Sequence, residues 1–68
     1  MHTGSCKWFN DHKAYGFITP DDGSKDCFVH FKALQMDGFK ALEEGARVEY
    51  DTEDTPKGCQ SINVRVLP

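Results

Sequence analysis

The sequence predicts an all-β fold, a single small barrel of five antiparallel strands, and three observations carry that reading. Short runs of strand-forming residues are broken by turn residues about every ten positions. Within the later runs, apolar and polar residues alternate: Val48 and Tyr50 between Arg47, Glu49 and Asp51, then Ile62, Val64 and Val66 around Asn63 and Arg65. No segment holds a helical pattern for more than about a turn. Five strands in an open sheet leave unpaired edges, and a chain this short removes them by closing into a barrel.

The elements follow in order. The first strand is expected over Gly4 to Asn10, ending at a turn on Asp11 and His12. The second covers Ala14 to Thr19. Pro20-Asp21-Asp22-Gly23 then makes a strong turn, because proline presets φ and glycine accepts positive φ. The third strand runs Asp26 to Phe31. Residues 32–45 form a long connection in which Gly38 and Gly45 interrupt two one-turn helical stretches, so a short 3₁₀ or α turn is the most it holds. The fourth and fifth strands are Arg47 to Asp51 and Ile62 to Val66, with a turn on Thr55-Pro56-Lys57-Gly58 in the segment between them.

Sixty-eight residues make one domain, 1–68, with a small core and little stability to spare. Eight residues are Phe, Tyr or Trp, and six of these fall between Trp8 and Phe31. A chain this short gives up part of its core if it leaves several of them in water, so an exposed cluster carries information. The net charge is −3, and the acidic excess lies after residue 40. That excludes binding a polyanion by charge alone. The cysteines at 6, 27 and 59 have no Cys-x-x-Cys spacing and are odd in number; a disulfide scaffold is not expected, and a reducing, cytoplasmic setting is. No apolar run reaches membrane-spanning length and no signal-peptide core is visible.

Parity decides which side of the middle strands is wet. Lys13, Tyr15 and Phe17 share one face of the second strand; Asp26, Phe28 and His30 share one face of the third. The opposite faces carry Gly16 with Ile18, and Cys27 with Val29. Burying the rings instead would drive Lys13, Asp26 and His30 inward without partners, which is costly. The rings are therefore expected outside, on a platform of Tyr15, Phe17, Phe28 and His30 flanked by Lys13. In the first strand Lys7, Trp8 and Phe9 are consecutive, so one ring goes to the platform and one to the core, and a bulge would let Lys7 and Trp8 both reach the platform.

Exposed rings beside cations suit unpaired nucleic acid. Each stacked base contributes ~1–3 kcal/mol whatever its identity, while a duplex hides its base faces. Lys7, Lys13 and Lys57 are placed to meet phosphates. Other classes fit less well. Cys27 and His30 are three apart on a strand and face opposite ways, so no nucleophile–base pair is suggested, and no glycine-rich phosphate loop is present: no enzyme is expected. His2, His12 and His30 lack metal-ligand spacing with the cysteines; His2 reads as a frayed terminus and His12 as a turn residue, and no cofactor is expected. A module for proline-rich peptides would use the same rings, but Lys7 and Lys13 beside them favour a phosphate-bearing ligand.

The segments KWFN, KAYGFI and CFVHF, in that order, with GSCKWFN before, DGSKD between, and MDGFKALEEGARVEY and PKG after, resemble the bacterial cold-shock proteins along nearly the whole chain. KAYGFI resembles their first ribonucleoprotein motif and CFVHF their second. KAYGFI alone also resembles the RRM motif, but there the second motif precedes the first and two helices are present. The resemblance implies a five-stranded OB-fold Greek-key barrel that binds single-stranded RNA and DNA with low sequence preference. It implies contacts from Lys7, Trp8, Lys13, Tyr15, Phe17, Phe28, His30 and Phe31, with Phe39 in the long connection, Lys57 and Gly58, and base-edge hydrogen bonds from Asn10 and Asp26. Family members act as RNA chaperones that melt weak secondary structure, and some counter transcription termination. A monomer is expected, with strand exchange through residues 32–45 as a route to a dimer. Ala14 stands where the family usually has glycine, Tyr15 where it usually has phenylalanine, and Cys6 and Cys27 where valine is common. If position 14 needs positive φ, alanine is strained there.

Overall fold

The computed structural model describes residues 1–35 and 42–68. Five strands appear in chain order: β1 His2–Asn10, β2 Tyr15–Pro20, β3 Cys27–His30, β4 Arg47–Thr55 and β5 Gly58–Val66. A 3₁₀ turn, Phe31–Ala33, follows β3 directly, where the long connection was expected to hold one. The strands close into a barrel in the order β1-β2-β3-β5-β4, with β4 returning to β1.

Four seams are antiparallel, and the fifth, β3 against β5, is parallel. Arithmetic requires this. Directions cannot alternate all the way around a ring with an odd number of strands, so at least one seam runs parallel. Here it is also the shortest, held in register at Phe28 and Gln60.

β1, β4 and β5 reach further than the sequence suggested, whereas β2 is displaced by one residue and β3 is shorter by one at each end. β1 begins at His2 because His2 and Thr3 pair with Tyr50 and Glu49. The His2 ring lies 5.7 Å from that of Tyr50, so this residue is part of the sheet rather than a frayed end. β4 and β5 run right up to the Thr55–Gly58 turn, where Thr55 Oγ1 accepts from the Lys57 N–H and donates to the Gly58 carbonyl. The polar residues of these extensions pair across the hairpin; they lack the apolar alternation that reveals a strand in sequence.

Two bulges correct the simple parity. One falls at Lys7, between Cys6 opposite Ile18 and Trp8 opposite Phe17. The other lies in β5, where Glu49 faces Arg65 but Asp51 faces Ile62, so Asn63 and Val64 together oppose Tyr50. Asn63 takes φ 52° there, a left-handed conformation that asparagine tolerates better than most residues. Its amide bridges Gln35 at 3.0 Å and Asp51 at 3.3 Å. The bulge resets the inward face from Ser61 to Val64, so Ile62 turns away while Val64 and Val66 fall on one face; Val66, opposite Val48 at the last position of β5, is nonetheless exposed.

The core is small and mostly aliphatic around one buried ring: Cys6, Ile18, Val29, Leu34, Leu42, Val48, Tyr50 and Val64 pack together, with Phe9 partly buried against them. Leu34 and Leu42, from the long connection, are buried and join this core. Cys27 is fully buried and bonded to half-buried Cys59. The cysteine spacing does not announce this bridge. It arises because the parallel seam sets residue 27 beside residue 59, Cα to Cα 4.9 Å. Among the described residues no helix is long and apolar enough to cross a membrane.

Candidate nucleic-acid interface

The interior of β2 and β3 is sealed. Ile18, Cys27 and Val29 have no exposure, whereas Tyr15, Phe17, Phe28 and His30 on the other face are partly exposed. The parity argument from Lys13, Asp26 and His30 assigned these faces correctly, and register explains why the rings assemble. β2 and β3 pair Tyr15 with His30 and Phe17 with Phe28, so the wet sides of the two strands lie flush.

Trp8 completes the cluster. The bulge at Lys7 shifts the parity of β1, bringing Trp8 opposite Phe17 while Phe9 turns to the core. Ring centroids then form a closed circuit: Trp8 to Tyr15 5.6 Å, Tyr15 to Phe28 5.7 Å, Phe28 to Phe17 5.8 Å, and Phe17 to Trp8 5.4 Å. Interplanar angles from 30° to 76° make these tilted and edge contacts, the arrangements aromatic quadrupoles favour. Rings braced at their edges keep part of each face available. His30 and Phe31 form a second pair, 4.7 Å apart, beside Tyr15. His30 Nδ1 accepts the Lys32 N–H at 3.3 Å, so Nε2 is the ring nitrogen left for another partner.

Gly16 answers why two rings flank a glycine. A Cβ there would lie 2.1 Å from the Trp8 carbonyl oxygen and 2.8 Å from the Phe9 Cα. Only a residue without a side chain lets β1 cross β2 closely enough to bring Trp8 onto Phe17.

The polar rim is partly committed. Lys7 Nζ donates to Asp26 Oδ2 at 2.8 Å across the bulge. Asn10 Oδ1 accepts from the backbone N–H of both His12 and Lys13, each at 2.9 Å, so that oxygen shapes the turn, and only the amide NH₂ is left for a base edge. The turn ends at Ala14, φ 60°, the positive-φ position the sequence comparison with glycine anticipated. Lys13 is exposed at its crest. Phe39 lies outside the described residues.

A groove of about 850 Å³ extends the platform from Phe17 and Phe28 between the β2–β3 loop and the β4–β5 turn. Asp26, Lys25, Lys57 and Gly58 line it, which brings the PKG turn to the rings although it lies some thirty positions on in the chain. Gln60 also lines this groove, and sequence reading did not single it out. As the parallel partner of Phe28 its side chain shares that outward face. No local signal marks it, because its place depends on the β3–β5 seam.

Away from this surface, Asp21 clamps the fold. Arg47 Nη1 donates to Asp21 Oδ1 at 2.7 Å, its second nitrogen reaches Oδ2, and Thr3 Oγ1 donates to Oδ2 at 2.8 Å. The Arg47 and Thr3 hydrogen bonds lower the Asp21 carboxyl to about 2. Among the described residues no cluster of three or more His, Cys, Asp or Glu is arranged to hold a metal.

A closed five-stranded barrel with an aromatic patch on the outer face of its central strands is an OB-fold of the nucleic-acid-binding kind. Residues 2–67 match the family model described as the 'Cold-shock' DNA-binding domain, and the chain belongs to that family. It is 57% identical to the major cold shock protein of Micrococcus luteus over 67 residues, covering 98% of this chain and all of that one. It is 56% identical over 64 residues to the cold shock-like protein CspE of Escherichia coli K12, covering 94% and 93% of the two chains. Among solved structures, drosophila Unr CSD456 superposes with a TM-score of 0.81 at 18% identity, covering 98% of this chain, which spans 26% of that one; this likeness shows the fold alone.

Proposed function

We propose that this protein binds single-stranded RNA and DNA with low sequence preference, and that it acts in the cytoplasm as an RNA chaperone in the response to cold. The observation that carries the reading is the four-ring circuit held outside the barrel while aliphatic residues fill the inside. Bases of an unpaired strand stack on Trp8, Tyr15, Phe17 and Phe28, with His30 and Phe31 extending the track. Lys13 and Lys57 meet phosphates at its ends, and Lys7 and Asp26, already paired, orient groups at the rim. No bond is broken in the nucleic acid. Binding the open strand shifts its folding equilibrium by mass action, melting weak hairpins and leaving strong ones closed. Suppression of terminator hairpins in nascent transcripts is the same effect on one class of hairpin.

The test is Trp8 fluorescence. Oligo-dT or oligo-U at micromolar concentration should quench it, and a duplex of equal length should not. With stacking dominant over charge, the affinity should fall gently with salt, with a log–log slope of about −1.4 for two phosphate contacts on a single strand. Equal quenching by duplex, or none by single strands, would overturn the proposal.

A further inference from the structure

We infer that Cys27 and Cys59 form a reversible thiol–disulfide exchange site, entered at Cys59, that clasps the barrel across its parallel seam. Three observations converge on this. The bridge joins β3 to β5, the shortest seam of the barrel and the one an odd strand number forces to run parallel. Parallel pairing is weaker per residue than antiparallel pairing, so the covalent link falls where backbone hydrogen bonds give least. The two residues differ in access. Cys27 is fully buried, whereas Cys59 is half-buried and lines the groove beside Lys57 and Gln60. Finally, the linked residues are 32 apart in sequence, so the bridge removes a long loop's worth of freedom from the unfolded chain. Cys6, the remaining cysteine, is buried and free on the inner face of β1.

The chemistry is exchange with a small thiol of the glutathione class. Its thiolate attacks Cys59 Sγ, the sulfur of the residue that lines the groove. The Cys27–Cys59 bond breaks, its electron pair leaves on Cys27, and water supplies the proton. A second small thiol attacks the sulfur attached to Cys59, releasing that thiolate as the small-molecule disulfide forms. Two thiols are oxidised and one bridge is reduced; excess small-molecule disulfide drives the reverse. Because the leaving Cys27 thiolate forms in a buried site, the first step is slow while the barrel stays closed. Neither step depends on the nucleic-acid reading, and both are measured without nucleic acid.

The experiment uses the full chain in three forms: wild type, Cys59→Ala, and Cys27→Val, which keeps the core filled. Each is equilibrated in glutathione buffers from reducing to oxidising, alkylated and mapped by mass, and its urea unfolding is followed by fluorescence. Oxidised wild type should show Cys27 and Cys59 protected together. Reduction should lower its folding equilibrium constant by on the order of a few hundredfold for a loop of this length. Both variants should unfold identically in oxidising and reducing buffer. Brief exposure to reduced glutathione should trap the mixed disulfide on Cys59. The inference fails if glutathione disulfide leaves both thiols open to alkylation, if reduction changes the constant less than tenfold, or if glutathione is found on Cys27.

Discussion

Replacing Ala14 by glycine should make this protein more stable, and the structure sets the size of the gain. Ala14 closes the β1–β2 turn at φ 60°. An L-residue with a Cβ pays roughly 1–2 kcal/mol in that left-handed region, and glycine pays nothing. Against this, glycine frees the unfolded chain, which costs about 0.4–1 kcal/mol. The backbone bonds on either side need no side chain: Ala14 N–H donates to the Asn10 carbonyl at 2.7 Å, and Phe31 N–H donates to the Ala14 carbonyl at 2.9 Å. The net expectation for Ala14→Gly is stabilisation by about 0.5–1 kcal/mol, or some 4 °C in Tm for a domain of this size. Ala14→Val should move the other way, because a β-branched residue is a steric outlier at positive φ. Urea and thermal unfolding of the three proteins measure this directly. The turn lies beside the rings without belonging to them, so the glycine variant should keep the wild-type response to oligo-dT. An unchanged or lowered midpoint for Ala14→Gly would refute the strain at this turn.

Further outcomes are open to direct measurement. Phe17→Ala and Phe28→Ala should each weaken single-strand binding by ~1–3 kcal/mol with the fold retained. Val29→Ala, on the sealed face, should cost stability by roughly 1–3 kcal/mol and spare binding in the molecules that remain folded; the opposite pattern in unfolding and titration would invert the face assignment. Gly16→Ala should destabilise by ~3 kcal/mol, because the new Cβ meets backbone that cannot step aside, and equilibrium unfolding reads the loss. The Asp21 carboxyl is lowered to about 2 by Arg47 and Thr3, so its contribution is whole above the unfolded value near 3.8 and is lost as pH falls through about 2. Asp21→Asn should accordingly flatten the acid limb of stability between pH 4 and 2, and an unchanged limb would remove Asp21 from the account.

Much of the interface was legible because its signals are local. Tyr15, Phe17, Phe28 and His30 reveal their common face by twos, and Lys13 and Asp26 say which face is wet. Pro20 to Gly23 and Thr55 to Gly58 mark turns by backbone chemistry that needs no tertiary context. The partition of Trp8 and Phe9 was harder. Three bulky residues in succession signalled a break in alternation, and the bulge at Lys7 supplies it. The resemblance implies base-edge contacts from Asn10, and the turn claims its oxygen, leaving the amide NH₂ for them. A side chain ahead of a turn serves the backbone first, since unpaired N–H groups are expensive.

The sequence by itself determined the inner and outer faces of β2 and β3, the main turns and the outward rings, because alternation, ring size and turn chemistry act within a few neighbours. Tertiary structure alone decided which seam runs parallel, that Cys27 meets Cys59 and Phe28 meets Gln60, and that Asn63 and Val64 together oppose Tyr50, so that Ile62 and Val64 lie on different faces. Those outcomes follow from closing the ring, a condition on all five strands at once, and no local run of residues encodes it.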